Sequence, residues 1–416
     1  MADDPLLQRA RELDDKDPLA GYRDLFITDE TDGIAAYLDG NSLGRPLAAT
    51  EQSLADFVRH QWGSRLIRGW DEGWLELPER IGDRLGSIVL GAAPGQCIVA
   101  DSTSVLLYKL ARAAVSARPG RTEIVIDRDN FPTDRFLMEA IARERGLTVR
   151  WLEVPYDGGA SAEAVAGVVG PSTALVVLSH VAYRSAHAAD VPGITSVVHD
   201  AGALVLWDLS HSVGSVPLEL DAWGVDYAAG CSYKYLNGGP GAPAWAYVAA
   251  RHLDSFDQPI QGWLGSAYPF AMGGSYEPAP GIRRIVSGTP PILGMLALQD
   301  MLDVLEKAGI GAVREKSVAL TGFAIEAVDA LLGPAGVVVA SPRAPGERGG
   351  HITIDHPAFA TMVPGLWEQG IIPDYRNPSG IRLGLSPLTT LFEETLVGIR
   401  AIADRMVVEG AGPVAR

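Results

Sequence analysis

A side chain that forms a covalent bond to a carbonyl compound at neutral pH is most readily a lysine held in a tight, partly desolvated place. The chain offers few candidates, because only five of its 34 basic residues are lysines: Lys16, Lys109, Lys234, Lys307 and Lys316. Lys16 lies in an acidic surface segment, Lys109 inside a helical stretch, and Lys307 and Lys316 on the polar faces of amphipathic ones. Lys234 differs. It stands in Gly230-Cys231-Ser232-Tyr233-Lys234-Tyr235-Leu236-Asn237-Gly238-Gly239-Pro240-Gly241, among aromatic and small residues and just before a glycine-rich turn.

Three further clusters each follow an apolar run. Asp101-Ser102-Thr103-Ser104 opens a helical pattern, where Thr103 and Ser104 would cradle a phosphate on free N–H groups, or serve as an ordinary cap. Asp208, at the end of ALVLWD, is costly to bury without a cationic partner; a protonated pyridine ring would be one, and a solvated turn is the alternative. In Phe131-Pro132-Thr133-Asp134 the ring of Phe131 could stack on a planar cofactor and Asp134 hydrogen-bond beside it, although a Phe before a helix is often core. Phosphate cradle, ring partner, ring stack and Schiff-base lysine are together the parts that pyridoxal 5′-phosphate requires.

The elements that must position these residues alternate. Apolar runs at 97–100, 123–127, 149–154, 174–179 and 203–208 are separated by helical spacings at 103–117, 133–145 and 162–169. That is the pattern of an α/β domain with a mostly parallel sheet, whose ligands sit at the carboxyl ends of the strands. After Pro290 come two long amphipathic helices, short strands near Val337, Ile352, Ile371 and Ile381, and a last helix from Leu391. We therefore expect a large cofactor-binding domain over 49–290, a smaller α+β domain over 291–416, and an N-terminal segment, 1–48, packed on the latter.

Composition removes other classes. With 416 residues, 47% hydrophobic and 20% charged, the chain has the makeup of a globular enzyme. Its net charge of −17 and scattered basic residues speak against nucleic acid. It has no apolar run of membrane-spanning length, and its acidic start is unlike a signal peptide, which points to the cytoplasm. Cys97 and Cys231 fit neither a disulfide framework nor a zinc site, and the eight histidines form no metal-binding pair. Neither cysteine is placed as the mobile nucleophile that a cysteine desulfurase needs.

At these residues the sequence resembles kynureninase, a family of fold-type-I pyridoxal-phosphate enzymes in the aspartate aminotransferase superfamily. The resemblance runs through YLDGNSLG (37–44), QWGSRLIRGW (61–70), ADSTSV (100–105), NFPTD (130–134), LSHVAYRS (178–185), WDLSHSVGSVPLEL (207–220), GCSYKYLNGGPGAP (230–243), GWLG (262–265), GTPPI (288–292) and NPSGIRLG (377–384). It implies Lys234 as the Schiff-base lysine, Asp208 as the pyridinium partner with His211 beside it, and Thr103, Ser104, Tyr233, Trp263 and Thr289 around the phosphate. Phe131 would stack on the ring, and Asp134 and Ser179 would hydrogen-bond the cofactor. Arg382 would grip the substrate carboxylate, with Asn41 on the substrate side and Tyr233 as acid or base. The implied unit is a homodimer whose second subunit supplies Trp263 and Thr289. The implied reaction is hydrolysis of a γ-keto amino acid between Cβ and Cγ, which converts kynurenine to anthranilate and alanine in tryptophan catabolism.

The substrate side departs from the family. Gly262-Trp263-Leu264-Gly265-Ser266 stands where bacterial members usually read GWFGH, so Leu264 and Ser266 replace a stacking ring and a polar handle. Leu106 replaces an Asn, and Asp71 stands where Asn is common. A substituted kynurenine, or another β-substituted or γ-keto amino acid in secondary metabolism, is the expectation these changes raise.

Overall fold

The computed structural model describes residues 4–28, 33–271, 274–408 and 410. The apolar runs form a seven-stranded sheet from β1 (Cys97–Ala100), β2 (Glu123–Asp127), β3 (Thr148–Leu152), β4 (Thr173–Ser179), β5 (Leu204–Asp208), β6 (Tyr227–Gly230) and β7 (Ala244–Val248). Their order is β1-β7-β6-β5-β4-β2-β3. Strands β2 to β6 pair in parallel, and β7 runs antiparallel to both β6 and β1. Because helices cover both faces, the inner strands are apolar at successive positions instead of alternating. Only the edge strand β3 alternates between exposed and partly buried residues.

Strands β6 and β7 escape a reading by apolar runs. Their Ala and Gly residues carry little strand preference, and pairing with established neighbours makes them strands. Gly230 has a specific reason: a Cβ there would come within 2.8 Å of the Trp245 ring across the β6–β7 pair.

Helices α1 (Thr103–Ser116) and α2 (Pro132–Arg145) follow β1 and β2. The long α3 (Ile292–Ala308) and α4 (Ile310–Leu331) lead into an antiparallel sheet of β8 (Val338–Val339), β9 (His351–Asp355), β10 (Asp374–Arg376) and β11 (Gly380–Gly384), in the order β10-β11-β9-β8. Helix α5 (Phe392–Val408) closes the fold. Met295, Leu298 and Leu302 of α3 belong to the core on one face of the large sheet, together with Val99, Val176 and Val205. Leu320, Phe323 and Ala324 of α4 belong to the core of the small sheet, with Ile352, Ile381 and Leu383. The N-terminal segment joins both: Leu19, Phe26 and Leu47 enter the first core, Ala10, Ala36 and Leu38 the second. Ala36–Tyr37 also pairs in parallel with Ile371–Ile372.

Two of the five lysines take places of structural interest. Lys316, expected on a polar helix face, is instead buried, its Nζ 2.5 Å from Asp17 Oδ2, because the N-terminal segment covers that face of α4. Lys109 is fully buried, its Nζ 2.6 Å from Asp101 Oδ2 and donating to the Ile285 carbonyl at 2.7 Å. It thereby braces the β1–α1 turn, where Asp101 adopts a left-handed φ of 47°. Replacing Lys109 with Ala leaves Asp101 without its cation, and we expect a loss of about 3 kcal/mol in urea unfolding. A loss below about 1 kcal/mol, the value of an exposed pair, would show that the brace is dispensable.

Candidate active site

The parallel register of β4 and β5 sets Ser179 directly beside Asp208 at the carboxyl edge of the sheet. Asp208 is buried, and its Oδ1 accepts hydrogen bonds from the Ser210 backbone N–H at 2.9 Å and from Ser210 Oγ at 2.6 Å. Next to β1 the chain turns into α1, whose cap residue Ser102 makes no side-chain hydrogen bond, so the first-turn N–H groups stay available to an anion. Between these elements lies a cavity with about 450 Å³ of empty space, its mouth included. Thr103, Ser104, Phe131, Asp134, Asp208, His211, Tyr233 and Lys234 all line it. All eight are residues that the sequence leads one to expect here; Leu107, Thr133 and Ser210 complete the wall.

Lys234 arrives on the loop between β6 and β7. Ser232 Oγ donates to the Pro243 carbonyl across the loop's neck, and Asn237, in a left-handed conformation, returns its N–H to the Lys234 carbonyl at 2.9 Å. The N-terminal segment then clamps this loop from outside. Gly44 N–H donates to the Tyr233 carbonyl at 2.8 Å, and Asn237 Nδ2 donates to the Arg45 carbonyl at 2.8 Å. The half-buried Lys234 Nζ lies 3.2 Å from His211 Nε2.

The electrostatics follow from burial. His211 is pushed well below its ordinary pKa, first by desolvation and then by the Lys234 cation, so the imidazole beside the lysine is neutral. Asp134 is pushed well above the usual carboxylate range by burial and by the Asp208 and Asp127 carboxylates, and its Oδ2 is buried without a hydrogen-bond partner. Burial, then the adjacent Cys231, raises the Tyr233 phenol.

One residue of the NFPTD run that the sequence reading left without a role organises this wall. Asn130 is buried; its Nδ2 donates to Asp127 Oδ2 at 2.9 Å, and its Oδ1 accepts from Phe131 N–H at 2.7 Å and from Ser179 Oγ at 3.1 Å. It thus ties the backbone of Phe131 to Ser179, and its position between a strand end and Phe131 was the available signal.

The substrate-side residues are more scattered. Arg382, on β11, is buried with Nη1 donating to the Tyr183 carbonyl and Nη2 to Ser42 Oγ, both at 2.8 Å. Asn41 is fully buried and neither polar atom of its side chain has a partner. His351, which the sequence reading did not single out, lies between the two sides, its ring 5.5 Å from that of His211. Trp263 and Thr289 are exposed, and Trp263 and Ser266 line a separate surface groove with Tyr268 and Tyr276. Leu264 and Leu106 are both buried in the core on one face of the large sheet, and of the two adjacent leucines of α1 it is Leu107, not Leu106, that reaches the cavity beside Thr103 and Ser104. Asp71 is exposed.

The clamp makes a test. A Cβ on Gly44 would lie 2.5 Å from both the Lys234 carbonyl oxygen and Asn237 Nδ2. We expect Gly44→Ala to lower stability by about 1–3 kcal/mol through overpacking and to weaken cofactor binding, read by thermal melting and by cofactor titration. A variant with unchanged melting and unchanged titration would show that this contact does not hold the lysine loop.

Comparison with known proteins agrees with this geometry. Residues 313–402 match the family model described as the kynureninase C-terminal domain. The chain is 38% identical over 400 residues to the kynureninase of Pseudomonas fluorescens, covering 94% of this chain and 93% of that one. It is 38% identical over 409 residues to the kynureninase of Burkholderia pseudomallei, covering 97% and 96%. Among solved structures it resembles the apo cysteine desulfurase of Thermococcus onnurineus NA1, with a TM-score of 0.78, 17% identity, and 96% and 98% of the two chains covered. That last likeness is one of fold; Cys97 and Cys231 are both free and buried. Near-full-length identity at this level places the protein: the chain belongs to the kynureninase family.

Proposed function

We propose that this protein hydrolyses the bond between Cβ and Cγ of kynurenine or a ring-substituted kynurenine, with pyridoxal 5′-phosphate as cofactor, to give an anthranilate and L-alanine. The observation that carries the reading is Lys234 Nζ beside a neutral His211, in one cavity with Asp208 and the start of α1, in a member of this family. Family membership favours kynurenine over a differently built γ-keto amino acid.

The residues present fit the cofactor. The partnerless Oδ2 of Asp134 and the uncapped first turn of α1 are polar groups that a bound ligand would satisfy. Thr103 and Ser104, with Tyr233, would hold the phosphate; Asp208 would pair with the ring nitrogen; Phe131 would stack on the ring, while Asp134, Ser179 and His211 hydrogen-bond around it. When bound, the cofactor supplies an electron sink for the charge that develops at the substrate's Cα. Lys234 would hold the cofactor covalently and, as a free amine, would take the proton from the substrate's Cα. The neutral His211 places no second cation against that amine. Arg382 grips the α-carboxylate, near Asn41. Tyr233, its phenol raised by burial, keeps its proton at neutral pH and serves as the acid for the later steps. In those steps water adds to the γ-carbonyl, the Cβ–Cγ bond breaks, the acyl group leaves as the acid, and Cβ gains a proton to become the methyl group of alanine.

We also propose a homodimer. Trp62, Leu66, Ile67, Ile260, Trp263, Tyr268 and Phe270 are large exposed hydrophobics on two separate stretches of the chain, 62–67 and 260–270, and exposed apolar groups of this size are the kind that a partner surface covers. A second copy would cover them and bring its Trp263 and Thr289 to the cofactor phosphate; Leu264 and Ser266 flank that Trp. Among the described residues no helix is long and apolar enough to cross a membrane.

Purified protein loaded with cofactor should absorb visible light, and Lys234→Ala should lose that absorption. The wild type should release alanine from kynurenine or 3-hydroxykynurenine. If neither yields alanine while other amino acids perturb the spectrum, the substrate assignment fails. Sedimentation velocity should report a dimer at micromolar concentration; a monomer with full activity would refute the shared-site arrangement.

A further inference from the structure

Resting on the reading of Arg382 as the carboxylate grip, we propose that Asp374 is a built-in, displaceable occupant of that grip, so that the site opens only to ligands whose own carboxylate can take its place. Asp374 lies directly across the β10–β11 pair from Arg382. Its Oδ2 is 2.6 Å from Arg382 Nη2 and 2.7 Å from Arg376 Nε. Neither close contact has the alignment of a hydrogen bond, and that oxygen counts among the buried atoms without a hydrogen-bond partner. The carboxylate is thus held by charge and proximity, in a geometry that a better-aligned anion can improve on.

The rest of the guanidinium points the same way. Nη1 is committed to the Tyr183 carbonyl, and Nη2 is shared between Ser42 Oγ and Asp374. Nε is buried and has no partner. Nε and Nη2 form one edge of the planar fork, the edge that takes a carboxylate with two parallel N–H···O bonds. Asp374 therefore blocks half of an edge whose other half is vacant. Asp39, 3.9 Å from Nη2, is too distant to fill it.

Displacement is physically easy on the outer side. The Arg382 side chain is 1% exposed, whereas those of Asp374 and Arg376 are 19% and 34% exposed. An Asp374 carboxylate pushed off Arg382 keeps the more exposed Arg376 as a partner nearer to water, while the incoming carboxylate pairs with the buried Arg382. A primary amine without a carboxylate gains nothing from the exchange, since Asp374 stays in place and Nε stays unsatisfied. The device selects amino acids over amines.

The test uses cofactor-loaded protein and two probes, L-alanine and ethylamine, titrated by the change in the cofactor's visible absorption. In Asp374→Asn the affinity for alanine should rise about tenfold, while that for ethylamine changes less than about twofold. Unchanged or weaker alanine binding by a variant that melts as a folded protein would overturn the proposal and make Asp374 a support for Arg382. Asp374→Glu, which keeps the charge on a longer arm, covers the case in which the Asn variant does not fold: alanine binding that differs from wild type while ethylamine binding does not supports the displacement, and identical alanine binding overturns it. Arg382→Gln tests the underlying reading separately. Its alanine affinity should fall to that of ethylamine; if it does not, Arg382 is not the carboxylate grip, whatever Asp374 does.

Discussion

The parallel pairing of β4 with β5 is the constraint on which the rest of the site depends. It puts Ser179 and Asp208 side by side where two strands end, in a place walled by apolar side chains on both faces of the sheet. A carboxylate there must be supplied with donors, and Ser210 supplies two from the very next turn. Once that edge exists, β2 delivers Asn130 and Phe131 on one flank, while β6 and β7 hold the Lys234 loop and β1 presents the start of α1 on the other. The residues that line the cavity around Lys234 come from four separate stretches of chain, and the strand order is what makes them neighbours.

Much of this was legible in the sequence, because buried parallel strands announce themselves as continuous apolar runs, and the polar residues that follow them are easily located. Asp208, Thr103, Ser104, Phe131 and Asp134 follow such runs, whereas Lys234 stands out by the scarcity of lysines and by its aromatic and glycine-rich surroundings. What stayed hidden had weaker local signals. The Ala- and Gly-containing β6 and β7 become strands through their partners, and the burial of Lys316 depends on Asp17, some 300 residues away. Asn130 had no role assigned from the sequence, because that role rests on three hydrogen bonds that only the fold brings together. The departures at Leu106 and Leu264 looked like changes in a pocket, but both side chains lie in a hydrophobic core. Their effect on the cavity can come only through packing, by shifting Leu107 or the backbone on either side.

The division between the two halves of the site has a physical basis. The groups around Lys234 sit on one rigid sheet, where burial fixes their charge states: His211 neutral, Tyr233 and Asp134 raised. Arg382, Asp374 and His351 belong to the small sheet, and the contacts that join it to the large domain include polar ones, such as the Arg382 bond to the Tyr183 carbonyl. A site built across such a boundary can change its substrate contacts without disturbing the chemistry at the lysine.

The clamp formed by the N-terminal segment carries a consequence for biosynthesis. Gly44 and Arg45 grip a loop that is translated about 190 residues later, while Ala36 and Tyr37 pair with Ile371 and Ile372 and the Leu38 carbonyl accepts from Gly384 N–H. A ribosome making this protein must therefore emit nearly all of it before its earliest residues find their seats. The large sheet can assemble while the chain is still growing, but the segment that carries the clamp is anchored on both sides only when the final strands arrive to pair with residues 36–38. The seating of the segment that clamps the Lys234 loop is thus coupled to completion of synthesis, and a prematurely terminated chain lacks the strands that hold that segment in place.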